Sequence, residues 1–475
     1  MTSTTLVGTD ARAAAVLPPR GMLRSLRVRN YRIHSTANLV SITGTWMQVV
    51  AQNWMVLELT GSTTALGASV GLQALPTVVL SMWGGVLADR VDRRRFLLGL
   101  QVAQAMLATV LGVIALRGPG SVAPLYVLAL LTGALTAVEG PASASFTAEL
   151  VPRPLLSNAI AIGSAISSTG RVLGMALAGV AVSVVGPAPV FFANGASFFA
   201  VVAGLSLLRT AEMEPAPRVP RARGQLREGV GFVLGRRELL SLFALAWFLS
   251  AFGRNFQVTM AAMTAGPLGT GASGYGQASM VFAVGAFAGA FVAAAAGTMT
   301  RRLLVGAALV TALGQGLAGL APGMSTFLVA IAPAAVGAVV IDTAIAALAQ
   351  LGARDEIRGR VLAVLGVVTT SATVVGGPLL GAVADRFGAR GSLVVGGAVA
   401  GLATLVAARA FARASGRSAV GALRGAIACG HGPAPHGTPR RCRRCQLRAR
   451  VGGRQGARRG GGPGGDLRPG QVAAR

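Results

Sequence analysis

Six charged residues crowd into positions 89–95 (Asp89, Arg90, Asp92, Arg93, Arg94 and Arg95), and the chain is strongly apolar on both sides of them. A chain that leaves a bilayer, turns tightly at its surface and re-enters needs such a break, with Gly85 easing the exit. Each crossing takes about 20 apolar residues. Backbone in hydrocarbon must satisfy its own hydrogen bonds, so each crossing is a helix. The composition agrees: 53% of the 475 residues are hydrophobic and 12% are charged, with a mean hydropathy of +0.64. Soluble domains carry about 25% charged residues.

Twelve stretches are long and apolar enough to span: residues 33–57, 66–88, 96–116, 124–146, 157–185 and 190–208, then 239–262, 275–296, 303–320, 327–351, 361–383 and 392–408. The expected fold is therefore all-α and polytopic, with two six-helix bundles. Residues 1–32 form an N-terminal segment, 33–208 the first bundle, 209–238 a central loop, 239–410 the second bundle and 411–475 a basic tail expected to be disordered. The first 32 residues lack the apolar core of a cleaved signal. The central loop carries Pro215, Pro217, Pro220 and seven Arg, and residues 226–234 within it read as an amphipathic helix lying on the membrane.

All 43 basic residues are Arg, and the net charge is +28. Nucleic acid is not the expected partner, because the charge sits in short loops and in the tail. With the N-terminus inside, the cytoplasmic segments other than the tail hold 23 Arg, and the outer loops only Arg117, Arg386 and Arg390. Cytoplasmic loops retain basic residues, which places both termini inside. The 66 Gly suit close helix approach in lipid, with small-xxx-small pairs at Gly170/Gly174, Gly285/Gly289, Gly377/Gly381 and Gly397/Gly401.

The halves repeat weakly. Leu150-Val151-Pro152-Arg153 parallels Leu351-Gly352-Ala353-Arg354, and Gly174 and Gly179 parallel Gly376 and Gly381. Parallel six-helix repeats with a site between them are a transporter layout. A second run, Gly381-Ala382-Val383-Ala384-Asp385-Arg386, imitates the first charged turn. Span counting puts it outside, after the eleventh span, as an outer turn without a gating role.

Several motifs together resemble one branch of the major facilitator superfamily, which includes bacterial enterobactin exporters and macrolide-efflux-type proteins. They are Asn30-Tyr31-Arg32, Gly44-Thr45-Trp46-Met47-Gln48, Leu57-Glu58-Leu59-Thr60-Gly61-Ser62, Gly84-Gly85-Val86-Leu87-Ala88-Asp89-Arg90, Glu149-Leu150-Val151-Pro152, Asn158-Ala159-Ile160 and Arg358-Gly359-Arg360-Val361. The resemblance covers about residues 24 to 410. It implies export of siderophores, macrolides or other small amphipathic compounds, driven by the proton gradient without a cofactor, by a monomer in the bacterial plasma membrane. It also implies that the first, fourth, seventh and tenth spans line the central path. The fifth span departs from the pattern, with Met175 after Gly174 where such exporters have Pro.

In the charged turn, Asp89 would face the start of the eleventh span, and Arg90 or Arg94 would reach Glu149. With Gly85 these form the expected cytoplasmic gate, the alternative being that the Arg cluster only fixes topology. Ionisable groups inside spans are costly and so mark function. Glu139 and Asp342 are the candidates for proton coupling, since a carboxylate in low dielectric can exchange a proton near neutral pH. A structural pair of Glu139 with Arg171 is the competing reading, and Glu58 reads as a solvated cap. Arg254 either holds an anionic substrate group or pairs with Asp342. Arg171, Gln48, Gln52 and Asn53, with Trp46 and Trp54 nearby, complete the expected substrate wall. For the Gln and Asn residues, interhelical hydrogen bonding is the competing reading.

Cys429, His431, His436, Cys442 and Cys445 match no standard zinc spacing, and no metal is expected. With no Lys, no phosphate-cradling loop of the ATPase kind is possible, and no enzyme site is expected. An importer or facilitator, and a non-transporting scaffold or sensor, are the two alternatives to an exporter.

Overall fold

The computed structural model describes residues 23–90, 92–213, 225–354 and 357–429, and among these every regular element is helical. The helices are α1 (Arg29–Thr60), α2 (Thr63–Arg90), α3 (Arg93–Arg117), α4 (Ala123–Leu150), α5 (Leu156–Val185), α6 (Pro187–Ser206) and the short α7 (Gln225–Leu234). They continue with α8 (Arg237–Ala265, interrupted), α9 (Gly271–Ala295), α10 (Arg301–Gly319), α11 (Met324–Leu351) and the continuous stretch Arg358–Cys429. That stretch turns at Gly388, whose φ of 79° only glycine adopts without strain. Its limbs are α12 (358–387) and α13 (389–415). Residues 416–475 form a second unit, of which 416–429 are described and helical, so the Ala-containing start of the tail is helix where disorder is expected.

Ten segments pass on length and apolarity alone. One of these, Arg358–Arg413, has 56 residues, about 84 Å as a straight helix. That is far more than one crossing of about 30 Å, so its two limbs count separately. The remaining long helix is α1, which has length enough at 32 residues but carries Asn30, His34, Gln48, Gln52 and Asn53 among its buried positions. The chain is an all-α polytopic membrane protein. Outward-facing Val184, Val329 and Leu313 are 75%, 74% and 67% exposed, as contact with lipid requires.

Local chemistry sets the helix ends. Gly61, at φ 62°, ends α1 and returns its N–H to Leu57 O. The Asp92 carboxylate caps α3 by accepting from Arg95 N, and the Thr300 hydroxyl caps α10 through Leu303 N. The α7 stretch is helical as expected. It does not simply lie on a membrane: Val233 is buried with residues of the second bundle, and Glu228 pairs with Arg360 at the start of α12, 2.5 Å away.

The apolar cores show how the bundles meet. At the end of the helices carrying Gly61, Gly186 and Gly388, called distal here, one cluster runs through both bundles, from Val50–Leu57 and Val182 to Phe256, Tyr275 and Phe327. At the opposite, proximal end each bundle has its own cluster, one around Tyr31, Phe146 and Leu205, the other around Leu242, Ile345 and Phe411.

Candidate functional site between the bundles

Three close glycine contacts seal the distal end. Gly179 of α5 and Gly276 of α9 touch backbone to backbone; a Cβ on either would sit 2.2 or 2.0 Å from the other's Cα. Gly67 of α2 lies against Gly377 of α12, and Gly381 against Thr63. Only glycine lets backbones come so near. Around them, Asn53 of α1 donates to Tyr275 Oη at 3.4 Å, and Trp54 stacks on the Tyr275 ring with centroids 6.2 Å apart.

Below this seal, α8 loses its regular hydrogen bonding. Residues Leu249–Gly253 form a π-turn, Arg254 takes φ −136°, and helix resumes at Phe256. Such breaks at mid-membrane are found where irregular backbone lines a cavity or a site. Arg254 pairs there with Asp342 of α11. Asp342 lies well inside a 28-residue helix, yet its side chain is 57% exposed, against 19% for Arg254. From the other bundle, the Arg171 guanidinium of α5 lies 5.8 Å from the centre of the Trp46 ring on α1. Asp342 is the carboxylate that acts on Arg171 from across the gap. Two cations, one carboxylate and an indole therefore converge from α1, α5, α8 and α11. Among the described residues, no group of His, Cys, Asp and Glu is arranged to hold a metal.

Other expected site residues lie elsewhere. Glu139 does not meet Arg171: its two oxygens accept from Gln101 and Gln104 of α3, each at 2.6 Å, inside the first bundle. Gln48 and Gln52 do not form a cavity wall. Gln48 accepts from Asn194 of α6 at 2.7 Å, and Gln52 donates toward Leu125 O at 3.5 Å, both buried. Asn53 serves the distal seal. The interhelical alternative holds for all three, because a polar side chain in a span finds a neighbouring helix before it finds water.

At the proximal end Glu149 is held by Arg93, whereas Arg94 turns away to donate to Leu205 O and Ser206 O at 2.8 and 3.2 Å. Consecutive helical residues point about 100° apart, so only one of them can face α4. Gly85, Asp89 and Arg90 lie on α2, and their side chains fall outside the described residues, as do His431, His436, Cys442 and Cys445.

The outer-turn motif behaves differently from the expectation. Asp385 Oδ1 accepts from Thr63 N at 2.7 Å, and Oδ2 from the Ser62 hydroxyl at 2.7 Å and Thr64 N at 3.0 Å. Partial burial opposes ionisation of this carboxyl. The hydrogen bonds from Ser62, Thr64 and Thr63 outweigh it and hold its pKa down to about 2. Asp385 thus caps the start of α2 in the opposite bundle, a role its position in a solvent turn did not suggest.

Two six-helix bundles sealed at one end, with charges converging between them at mid-depth, define a secondary-transporter architecture. The chain belongs to the transmembrane secretion effector family of major facilitator transporters, whose sequence profile matches residues 21–420. It is 28% identical over 171 residues to the staphyloferrin A transporter of Staphylococcus aureus (strain NCTC 8325 / PS 47), covering 35% of this chain and 42% of that protein. It is 27% identical over 161 residues to the MFS-type transporter YfiS of Bacillus subtilis (strain 168), covering 34% and 37%. The matches therefore span about two-fifths of each relative's length. Among solved structures, the fold is similar to the POT family transporter PepTSo (TM-score 0.65, 13% identity, 82% of this chain and 98% of that one). It is also similar to a bacterial homolog of the human lysosomal transporter Spinster, in an inward-facing and unoccupied conformation (TM-score 0.62, 18% identity, 82% and 98%).

Proposed function

We propose that this chain is a proton-coupled exporter of small amphipathic compounds in the bacterial plasma membrane, working by alternating access. The observation that carries the reading is Asp342: an exposed carboxylate within a span, paired to Arg254 at a helix break, with its charge acting on Arg171 of the other bundle. Its charge decides what Arg254 does. Ionised, it holds the guanidinium; protonated, it loses the Coulomb attraction, which in a partly dry site is several times its value in water. Arg254 is then free to change partner. A proton therefore alters the binding surface and the contacts that tie α8 to α11, and any group that binds one state better shifts the population toward it.

The Arg distribution supports the orientation in which the proximal end is cytoplasmic. With the distal end sealed, the site is then reached from the cytosol, the loading side of an exporter. Trp46 offers an aromatic face and Arg171 a cation, a combination that suits compounds with both apolar and polar parts. The staphyloferrin A transporter among the relatives puts siderophores on the panel of cargoes to try.

Everted membrane vesicles test the reading. Proton-driven accumulation of macrolides, dyes or siderophores, abolished by collapsing the gradient, is the expected result. Uptake by intact cells in place of accumulation would make the protein an importer, and no flux of any compound would make it a scaffold.

A further inference from the structure

The helices α2 and α12 are antiparallel neighbours in a fixed register. Thr63 lies on Gly381, Gly67 on Gly377 and Gly71 on Val374, so each step along one helix is matched by a step back along the other. The two ends of this pair carry copies of one sequence. Gly85-Val86-Leu87-Ala88-Asp89-Arg90 closes α2, and Gly381-Ala382-Val383-Ala384-Asp385-Arg386 lies at the end of α12.

We propose that Asp385 is a positioning residue for the transport cycle, the latch that holds the distal face shut, as the counterpart of Asp89 at the other end of the same helix pair. The proposal rests on the alternating-access reading. Asp385 belongs to the second bundle, whereas all three of its donors (Ser62 Oγ, Thr63 N and Thr64 N) belong to the first. These bonds exist only while the bundles touch at this end. Thr63 and Thr64 begin α2, where backbone N–H groups have no helical partner and the helix dipole favours a negative charge. Ser62 already serves one of the free N–H groups, its hydroxyl accepting from Ala65 N at 3.2 Å. Asp385 serves two more from across the seam. Separation returns the carboxylate and the helix end to water, so the latch weights the closed state without making it permanent. Below the latch, Gly381, Gly377 and Gly67 remove the side chains that would hold the backbones apart. The latch thus closes a seam whose surfaces already fit.

The test reads the distance between bundles directly, in full-length protein in lipid nanodiscs. Cys429, Cys442 and Cys445 are replaced by Ser, and spin labels are placed at Ser121→Cys and Ser325→Cys, exposed distal positions on the first and second bundles. The native latch should give one dominant short distance. Asp385→Ala should raise the ratio of open to closed distal faces about tenfold, the scale of losing charge-assisted hydrogen bonds. Ser62→Ala should move it in the same direction by less, and Asp385→Glu should restore part of the short distance. Arg386→Gln, next to the latch but bonded to nothing described, should leave it unchanged. If Asp385→Ala does not fold, Ser62→Ala decides. Distributions in the folded variants identical to the native one would overturn the latch, since a merely structural Asp385 would lower the melting temperature without moving the labels. The distances need no substrate, so failure to find any exported compound would sink the transport reading and leave this result standing.

Discussion

Arg254 and Asp342 are joined at the point where α8 stops being a regular helix, so the ion pair bridges two helices of one bundle at a place where the backbone is free to adjust. A pair in that position couples the charge of one carboxylate to the shape of the break. Asp342→Asn keeps the size of the side chain and removes the charge. Proton-driven accumulation in everted vesicles should fall at least about tenfold, while exchange of labelled for unlabelled compound down its own gradient persists. With Asp342 more than half exposed, the cost in stability should be about 1 kcal/mol or less. Unchanged proton-driven accumulation would remove Asp342 from coupling.

Glu139 should behave in the opposite way. Its oxygens are held by Gln101 and Gln104 within the first bundle, on the α3 side and away from Arg171. Gln101 Oε1 is buried without a partner, so the amide can turn and accept from a glutamine placed opposite it. Glu139→Gln should therefore keep its stability to within about 1–2 kcal/mol and retain proton-driven transport. Glu139→Ala leaves two buried amides without acceptors and should cost about 2–4 kcal/mol, read as a lower melting temperature in detergent. Loss of coupling in Glu139→Gln with melting unchanged would return Glu139 to the proton path.

The twelve crossings and the two bundles were legible because lipid imposes length and apolarity on every span, and nothing else gives that pattern. The destinations of polar side chains inside the spans were not. Gln48 read as part of a substrate wall because it sits with Gln52 and Asn53 in an apolar span, and Glu139 read as a proton carrier because it is an ionisable group inside one. Their partners, Asn194 on α6 and Gln101 with Gln104 on α3, lie on other helices whose rotation the sequence does not fix. The i,i+3 spacing of Gln101 and Gln104 was the available signal, since it puts two donors on one face. The break at Arg254 was hidden for a related reason: Ser250, Gly253 and Asn255 look like ordinary small and polar residues until α8 is seen to unwind at them. The partners of Asp385 were hidden because counting spans gives the side of the membrane on which a turn lies and says nothing of the helix it touches.

Gly179 and Gly276 give the distal seal its sharpest steric test. A Cβ on Gly179 would stand 2.2 Å from Gly276 Cα, and that neighbour is backbone, which has no rotamer to move. Gly179→Ala should hold α5 and α9 apart, lengthening the Ser121 to Ser325 label distance with Asp385 intact. Transport should drop because one of the two access states is no longer reached. A native label distance in Gly179→Ala would mean that the bundles slide past each other to accommodate the methyl group.

The latch that shuts the distal face should respond to acid pH alone. Asp385 is ionised in the closed state with a pKa of about 2, against an ordinary value of 3.8. A carboxyl whose value is lowered by its partners contributes fully above the ordinary value and loses that contribution as pH falls through the lowered one. From pH 8 to about 5, therefore, the latch should not loosen, and the Ser121 to Ser325 distance should stay constant. Below pH 4 the closed fraction should decline in the native protein, and the decline should be absent in Asp385→Ala, which has no charge left to lose. A closed fraction that falls below pH 4 to the same extent in Asp385→Ala as in the native protein would remove Asp385 from the acid response of the distal face.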